Sequence, residues 1–167
     1  MKDNIVLTGI MGCGKTSLGK ELADRLSMTF VDMDAIIEEE SNMTISEMFS
    51  MYGEPYFRDR ETELCHRLSD QTGLVISTGG GIIGREENMN ALGRTGSVIF
   101  IDRDPNIIIR TIDASNRPMI RDNPQRLLEL HAQRLPFYQK YADMIFPNNG
   151  TLEEAINSLM IQLKKGK

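Results

Sequence analysis

The sequence predicts an α/β fold in which one parallel β-sheet is flanked by helices on both faces, giving three layers. Five short apolar runs, each the length of a buried strand, alternate along the chain with segments of helical periodicity. The chain has 167 residues, of which 40% are hydrophobic and 26% charged. This size and composition suit one globular domain, so residues 1–167 are assigned to a single domain.

Two strands and three helices are predicted in the first part of the chain. The stretch "KDNIVLTG" predicts a buried strand, "GKTSLGKELADRLS" an amphipathic helix and "TFVDMD" a second strand. A capping box between Thr44 and Glu47 marks the start of the next helix, "TISEMFSMYG", which ends at Gly53. A longer helix, "PYFRDRETELCHRLSD", follows directly.

The second part of the chain continues the alternation. Strands "GLVIST" and "GSVIFID" are separated by the helical stretch "REENMNALGR", and Pro105 suits the first turn of helix "PNIIIRTID". The stretch "DASNRPMIRDNP" has no clear period and predicts a loop. The helix "QRLLELHAQRLPFYQKYA" contains Pro136, where we expect an interruption or a kink. Strand "DMIFP" and a last helix, with a capping box from Thr151 to Glu154, complete the chain.

Charge and cysteine content exclude several classes of protein. The net charge of −5 argues against a general nucleic-acid binder. Cys13 and Cys65 form neither a disulfide framework nor a CxxC metal site. Because the chain shows no signal peptide and no long apolar run, we expect a cytoplasmic protein that does not engage a membrane. Cys13 lies at a helix start, where a thiol can become reactive, although an inert loop cysteine is an equally good interpretation.

The sharpest motif is "GIMGCGKT", Gly9–Thr16, which fits the phosphate-loop pattern G-x-x-x-x-G-K-[ST]. It follows a predicted strand and opens a predicted helix, so its backbone N–H groups can hold the phosphates of a nucleotide. Gly12 and Gly14 allow the tight turn. The Lys15 ammonium can reach the transferred phosphate, and the Thr16 hydroxyl can ligate Mg²⁺.

A second glycine-rich stretch, "STGGGII", follows the third strand. The carboxyl ends of parallel strands line the ligand crevice, so Gly79, Gly80 and Gly81 lie on the same rim as the phosphate loop. Their missing side chains would let a second ligand contact backbone N–H groups. The alternative is a structural turn that needs a positive φ, and the local sequence does not separate the two.

An acidic pair, Asp32 and Asp34 in "VDMD", ends the second strand. Strand alternation points both carboxylates to the same side, one toward a metal and one toward an acceptor hydroxyl. One of them could instead only cap the next helix. Asp102 is a rival strand-end carboxylate for the metal, but Asp32 follows the strand that we expect beside the phosphate-loop strand.

Arginines dominate the region from residue 103 to residue 134, which contains six of the twelve arginines and no lysine. Arg117, in the predicted loop, could fold over the nucleotide when that loop closes. Arg58 precedes Glu61 by three residues on one helix, a spacing that allows an ion pair. Because a guanidinium binds carboxylate or phosphate bidentately, the arginines indicate an anionic second substrate besides ATP.

Taken together, "GIMGCGKTS", "VDMD", "FRDRE", "STGGG", "NRP" and "RLPFY", in this order and spacing, resemble the shikimate kinases. The resemblance implies a P-loop kinase fold with a five-stranded parallel sheet in the order 2-3-1-4-5, a substrate-binding region at about 33–61 and a mobile lid at about 112–124. It also implies transfer of the γ-phosphoryl group of ATP to the 3-hydroxyl of shikimate, with Mg²⁺ as cofactor, on the route to chorismate and the aromatic amino acids. The family is usually monomeric.

The resemblance also implies residue roles. The ATP-binding set is Gly12, Cys13, Gly14, Lys15, Thr16, Ser17, Arg110 and Arg117. The shikimate-binding set is Asp34, Phe57, Arg58, Gly79, Gly80, Gly81 and Arg134. Thr16 and Asp32 hold the metal, and Lys15, Asp34 and Arg117 are the catalytic residues. The stretch "FPNNGT", where the family places part of the adenine pocket, matches loosely, and no contacts are assigned there.

Two other functions use the same phosphate loop. A sugar-acid or nucleotide kinase would keep the fold and change the acceptor, but "FRDRE" and "STGGG" favour shikimate. A non-catalytic nucleotide-binding regulator would bind ATP without transferring phosphate. All the expected catalytic residue types are present in the sequence, which favours an enzyme.

Overall fold

The computed structural model describes residues 2–111 and 123–165. Five strands form one parallel sheet in the order β2-β3-β1-β4-β5. Their bounds are β1 Asn4–Thr8, β2 Thr29–Asp32, β3 Leu74–Ser77, β4 Gly96–Asp102 and β5 Met144–Pro147. The α/β class and the strand order that the resemblance implied are both confirmed.

Eight α-helices lie in the described part of the chain and surround the sheet. They are α1 Lys15–Leu26, α2 Met33–Ser41, α3 Ile45–Tyr52, α4 Glu54–Ser69, α5 Glu86–Thr95, α6 Pro105–Thr111, α7 Pro124–Tyr141 and α8 Leu152–Lys165. A short 3₁₀ helix, Ile82–Gly84, follows the glycine loop. None of these helices is both long enough and apolar enough to cross a membrane.

The hydrophobic core lies between the sheet and the helices. All residues of β1 and β3 are buried, as expected for the central strands of a sheet covered on both faces. The side chains of Leu18 and Leu22 attach α1 to this core, and those of Ile156 and Leu159 attach α8. The packing fixes the helices on the sheet. Because all the strands are parallel, their carboxyl ends lie at one edge of the sheet.

Both predicted capping boxes form. Glu47 N–H donates to Thr44 Oγ1 at 3.1 Å, and Thr44 N–H donates to the Glu47 carboxylate at 2.7 Å. Thr151 and Glu154 exchange equivalent bonds of 3.1 and 3.2 Å ahead of α8. Gly53, with φ of 83°, separates α3 from α4 as the sequence predicted.

Two local predictions are wrong. Strand β2 pairs with β3 and not with the phosphate-loop strand β1, whose neighbours are β3 and β4. Strand β2 also ends earlier than predicted, at Asp32, and helix α2, to which no range was assigned from the sequence, begins at Met33. Of the two outcomes expected at Pro136, the interruption does not occur, because α7 is continuous from Pro124 to Tyr141. Pro136 lies on an exposed side of α7, where water can satisfy the carbonyl that loses its helical partner. The predicted lid falls largely on residues 112–122, which lie outside the described residues.

Candidate active site

The phosphate loop wraps the N-terminus of α1. Gly9, Gly12 and Gly14 have φ of 148°, 79° and 103°, values that L side chains rarely adopt. Gly14 is the N-cap of α1 and provides no side-chain cap, so the first N–H groups of the helix face the loop. The concave surface that results favours an anion at this point.

Lys15 is held by the loop that precedes it. Its Nζ donates to the carbonyl oxygens of Gly9 at 2.7 Å and of Ile10 at 3.1 Å, and the residue is 8% exposed. The Cys13 sulfur lies 3.6 Å from the same Nζ and is completely buried. The loop thus fixes the position of the Lys15 ammonium group, and the Cys13 thiol points into the interior of the protein.

A cavity of about 510 Å³ connects the phosphate loop to the acidic pair. Lys15, Thr16, Asp32, Asp34 and Gly80 are among the residues that line it. The sequence therefore predicted correctly that these motifs meet. Asp102, the rival candidate for the metal, is not part of this lining.

The two aspartates reach the cavity in a different way from the one predicted. Asp32 is the N-cap of α2, where its Oδ1 accepts a bond from Ala35 N–H at 3.2 Å. Asp34 belongs to the first turn of that helix, so strand alternation does not place it. The helix begins because the Asp32 carboxylate satisfies one of its first N–H groups. Its first turn then directs Asp34 into the cavity.

Each glycine of the second loop is in close contact with a different part of the site. A Cβ at Gly79 would lie 2.8 Å from Asp34 Oδ1, and one at Gly80 would lie 3.1 Å from Arg134 Nη1. A Cβ at Gly81 would lie 2.5 Å from Arg58 Nη2. None of the three glycines has a positive φ. Close approach, rather than a left-handed turn, is therefore the reason for glycine at all three positions.

Two arginines converge beside this loop. Arg58 donates to the Glu61 carboxylate at 2.9 Å, which confirms the predicted ion pair, and also to Glu54 at 3.0 Å. Arg58 and Arg134 line a second cavity, of about 310 Å³, together with Gly81. The Arg58 guanidinium also lies over the Phe57 ring, 5.1 Å from its centroid. Phe57 is 4% exposed and meets the Phe49 ring edge-on at 5.4 Å. Phe57 lines neither the 510 Å³ nor the 310 Å³ cavity, so its ring supports the Arg58 guanidinium from behind.

The pKa values of the Asp34 and Glu61 carboxyl groups are both raised from their ordinary values. Burial raises the pKa of Asp34, and the nearby Asp32 charge raises it further, against the opposing effect of Lys15. Burial also raises the pKa of Glu61, although Arg58 opposes the change. Asp34 Oδ1 and Glu61 Oε2 are both buried without a hydrogen-bond partner among the described residues. Such acceptors suit a ligand that brings hydroxyl groups.

A third cavity, of about 210 Å³, adjoins the phosphate loop and shares Gly12, Gly14 and Ser17 with the 510 Å³ cavity. Gly12, Gly14 and Ser17 line it together with Thr111, Asn148 and Gly150. Arg110 is exposed in the last turn of α6, next to Thr111, and does not itself line this cavity. Arg117 lies outside the described residues.

Three residues at the site carried no strong signal in the sequence. Asn148 donates from Nδ2 to the Cys13 carbonyl at 2.8 Å and so ties the loop after β5 to the phosphate loop. Tyr138 is fully buried and donates to the Gly80 carbonyl. Glu61 was expected only as an ion-pair partner, yet it is 0% exposed and faces Gly79. "RLPFY" was the only sequence signal that included Tyr138.

Comparisons with known proteins decide the family. The family model "Shikimate kinase" matches residues 11–164. The chain belongs to the shikimate kinase family. A shikimate kinase of Clostridium botulinum (strain Eklund 17B / Type B) is 40% identical over 159 residues, which cover 95% of this chain and 96% of the relative. Another, of Thermodesulfovibrio yellowstonii, is 40% identical over 162 residues, covering 95% and 93%.

Solved shikimate kinases share the fold over the whole chain. The enzyme from Acinetobacter baumannii, determined in complex with shikimate, superposes with a TM-score of 0.91 at 33% identity and covers 100% of this chain and 96% of its own. The enzyme from Bacteroides thetaiotaomicron has a TM-score of 0.89 at 32% identity, covering 98% and 99%. This chain is therefore a kinase that phosphorylates shikimate with ATP in aromatic amino-acid biosynthesis.

Proposed function

We propose that the 510 Å³ cavity is where the γ-phosphoryl group of ATP is transferred to the 3-hydroxyl of shikimate. One observation carries this proposal: the phosphate loop with Lys15 and the unpartnered buried carboxylate of Asp34 line the same cavity. Phosphoryl transfer needs a positioned acceptor, charge neutralisation and a carboxylate beside the attacking hydroxyl. The groups that neutralise charge and the carboxylate for the attacking hydroxyl thus line one cavity.

The nucleotide side consists of Gly12–Ser17. Backbone N–H groups at the start of α1 hold the phosphates, and Lys15 stabilises the charge that develops on the transferred group. Arg110 contributes beside adenine, near the third cavity, which Thr111 lines. Arg117 acts on the transferred phosphate. These two roles follow from the family resemblance.

Mg²⁺ fits the residues that line the cavity. Thr16 supplies a hydroxyl and Asp32 a carboxylate from the same lining, and Asp32 uses Oδ1 to cap α2. In the described residues no group of three or more acidic, histidine or cysteine side chains could hold a metal alone. That suits Mg²⁺, which takes one or two protein oxygens together with substrate phosphates and water. Bound there, it would neutralise phosphate charge.

The acceptor side is built around Arg58 and Arg134. Their guanidinium groups bind the carboxylate of shikimate. The role of Phe57 as the wall against the shikimate ring follows from the family resemblance. Gly79–Gly81 let the ring lie against backbone because their side chains are absent. Asp34 accepts the hydrogen bond of the reacting hydroxyl and takes its proton during transfer.

The proposed function also implies a domain organisation, an oligomeric state and a cellular location for the protein. Residues 1–167 form one domain, in which residues 33–61 form the substrate-binding region and residues 112–124 the lid. The resemblance to the family, which is usually monomeric, supports a monomer. The partners are the small molecules ATP and shikimate, with no nucleic acid or membrane, and the location is the cytoplasm, where both substrates are soluble.

A coupled assay of ADP release with ATP, Mg²⁺ and shikimate tests the proposal. Turnover with shikimate, and none above background with gluconate or nucleoside monophosphates, is the expected result. Arg58→Lys keeps the charge but loses the bidentate fork, so its KM for shikimate should rise while its KM for ATP is unchanged. Arg60→Lys, at an exposed pair with Glu63 on the same helix, is the matched control. An unchanged KM for shikimate in Arg58→Lys would show that Arg58 does not bind the carboxylate of shikimate.

A further inference from the structure

The side chain of Tyr138 joins three parts of the site. It extends from α7, one helical turn after Arg134, and is completely buried. Its hydroxyl donates a hydrogen bond to the carbonyl oxygen of Gly80 in the glycine loop. Its ring stacks on Phe100 of β4 with centroids 5.0 Å apart and planes 18° apart. In the sheet, Phe100 is paired with Thr8, which directly precedes the phosphate loop.

Gly80 lies where these parts meet. A Cβ there would lie 3.1 Å from Arg134 Nη1, 3.6 Å from Met11 N and 3.7 Å from the Gly9 carbonyl oxygen. The peptide that Tyr138 holds is therefore wedged between the guanidinium of Arg134 and the backbone of the phosphate loop. A small rotation of this peptide would change the distance between the glycine loop and Arg134.

We propose that Tyr138 is a positioning residue for shikimate. Its hydroxyl fixes the Gly80 peptide relative to α7, so that the glycine loop and Arg134 keep one spacing and present a single binding surface to the acceptor. Tyr138 does not contact the reacting atoms and acts through Gly80. The inference rests on the proposed placement of shikimate at the glycine loop and the two arginines.

The chemistry of the residue supports a positioning role over core filling alone. A buried phenol needs a hydrogen-bond partner, and a phenylalanine would fill the same space without one. Burial raises the pKa of the Tyr138 hydroxyl, so it remains a donor at every physiological pH. A permanent donor on a rigid stacked ring is well suited to hold one carbonyl in place.

Tyr138→Phe tests the inference, because it keeps the stacked ring and removes only the hydroxyl. We expect the KM for shikimate to rise about tenfold, as for the loss of one buried hydrogen bond, with kcat and the KM for ATP within about twofold. Tyr141→Phe is the matched control. Its hydroxyl lies near the end of the same helix, accepts a bond from Lys140 at 3.4 Å, and should leave all constants unchanged.

The variant Arg134→Lys tests the proposed placement of shikimate independently of the role of Tyr138. A raised KM for shikimate in both Arg134→Lys and Tyr138→Phe supports the two together. A raised KM in Arg134→Lys with an unchanged KM in Tyr138→Phe overturns the role of Tyr138 alone. Unchanged values in both variants overturn the placement and the inference with it.

A purely structural role of Tyr138 gives a different pattern. If Tyr138→Phe lowers the fraction of folded enzyme, the apparent kcat falls and both KM values stay constant. If it loosens the whole site, the KM for ATP rises together with that for shikimate. Either pattern overturns the positioning role, and melting curves of both variants identify the first.

Discussion

The carboxylates of Asp34 and Glu61 converge on the same side of Gly79. A Cβ at Gly79 would lie 2.8 Å from Asp34 Oδ1 and 2.9 Å from Glu61 Oε2, although the two side chains come from α2 and α4. Both oxygens are buried without a hydrogen-bond partner among the described residues. The pKa of each carboxyl is raised, chiefly by burial. The fold thus holds two hydrogen-bond acceptors beside the glycine loop whose burial without a partner destabilises it. The hydroxyl groups of a substrate can donate hydrogen bonds to them.

The acid limb of the pH profile should respond to Glu38. The charge of Glu38, which also lines the cavity, raises the pKa of Asp34. Glu38→Gln removes that charge, so the pKa of Asp34 should fall and the acid limb of kcat/KM for shikimate should move to lower pH. Glu39→Gln, at the exposed neighbouring position, is the control and should leave the profile unchanged. If the pH profile of Glu38→Gln were identical to that of the parent, the acid limb would not report the titration of Asp34.

Asp34→Asn should lower activity and raise stability. Loss of the proposed base should reduce kcat by about 10²- to 10⁴-fold. A carboxyl whose pKa is raised on folding stabilises the fold only below its unfolded pKa, and this contribution is lost as pH rises through the folded pKa. At neutral pH the charged Asp34 therefore destabilises the fold, and the neutral amide does not.

Thermal unfolding at two pH values checks this second effect. The midpoint of Asp34→Asn should exceed that of the parent by a few degrees at neutral pH, the effect of about 1 kcal/mol in a domain of this size. The difference should shrink near pH 4, about the unfolded pKa of an aspartate. Asp24→Asn, exposed on α1, should match the parent at both values. A lower midpoint for Asp34→Asn at neutral pH would contradict the prediction.

Gly81→Ala should impair shikimate binding while sparing the fold. The new Cβ would lie 2.5 to 2.8 Å from the Arg58 guanidinium, which Glu54 and Glu61 hold in place. The guanidinium must shift, so the KM for shikimate should rise by about tenfold or more, with little change in the KM for ATP. Gly93→Ala, on α5, is the control, because a Cβ there meets nothing within 4 Å and Gly93 lines none of the three cavities of the site. Equal KM values for these two variants would contradict the close-approach role of Gly81.

Neither cysteine should react in the native enzyme. Cys13 and Cys65 are both 0% exposed, and burial raises the pKa of the Cys65 thiol, which keeps it protonated. Of the two interpretations of Cys13 that the sequence left open, its burial favours the inert loop cysteine. A colorimetric thiol assay should find no fast-reacting group in native protein and two after unfolding in urea. Rapid inactivation by an alkylating reagent, slowed by ATP, would show that the phosphate loop opens.

Most of the fold could be predicted from the sequence. The succession of strands and helices along the chain, apart from α2, follows from local hydrophobic periodicity, and the starts of α3 and α8 follow from capping boxes within four residues. The order of the strands within the sheet came from the family resemblance. The phosphate loop is likewise local, since Gly12 and Gly14 adopt the conformations that their residue type allows. The ion pair of Arg58 with Glu61 follows from helix geometry alone. These features need no contact between distant segments.

The arrangement of the acceptor site was decided only by the tertiary structure. The strand-to-helix transition at Asp32, rather than strand alternation, directs Asp34 into the cavity. The reasons for glycine at 79 to 81 are side chains from α2, α4 and α7, which no local pattern could identify. Tyr138 meets Gly80 across 58 positions of the sequence. Periodicity shows which face of a segment is buried, whereas the atoms that meet there depend on how the packed helices are placed on the sheet.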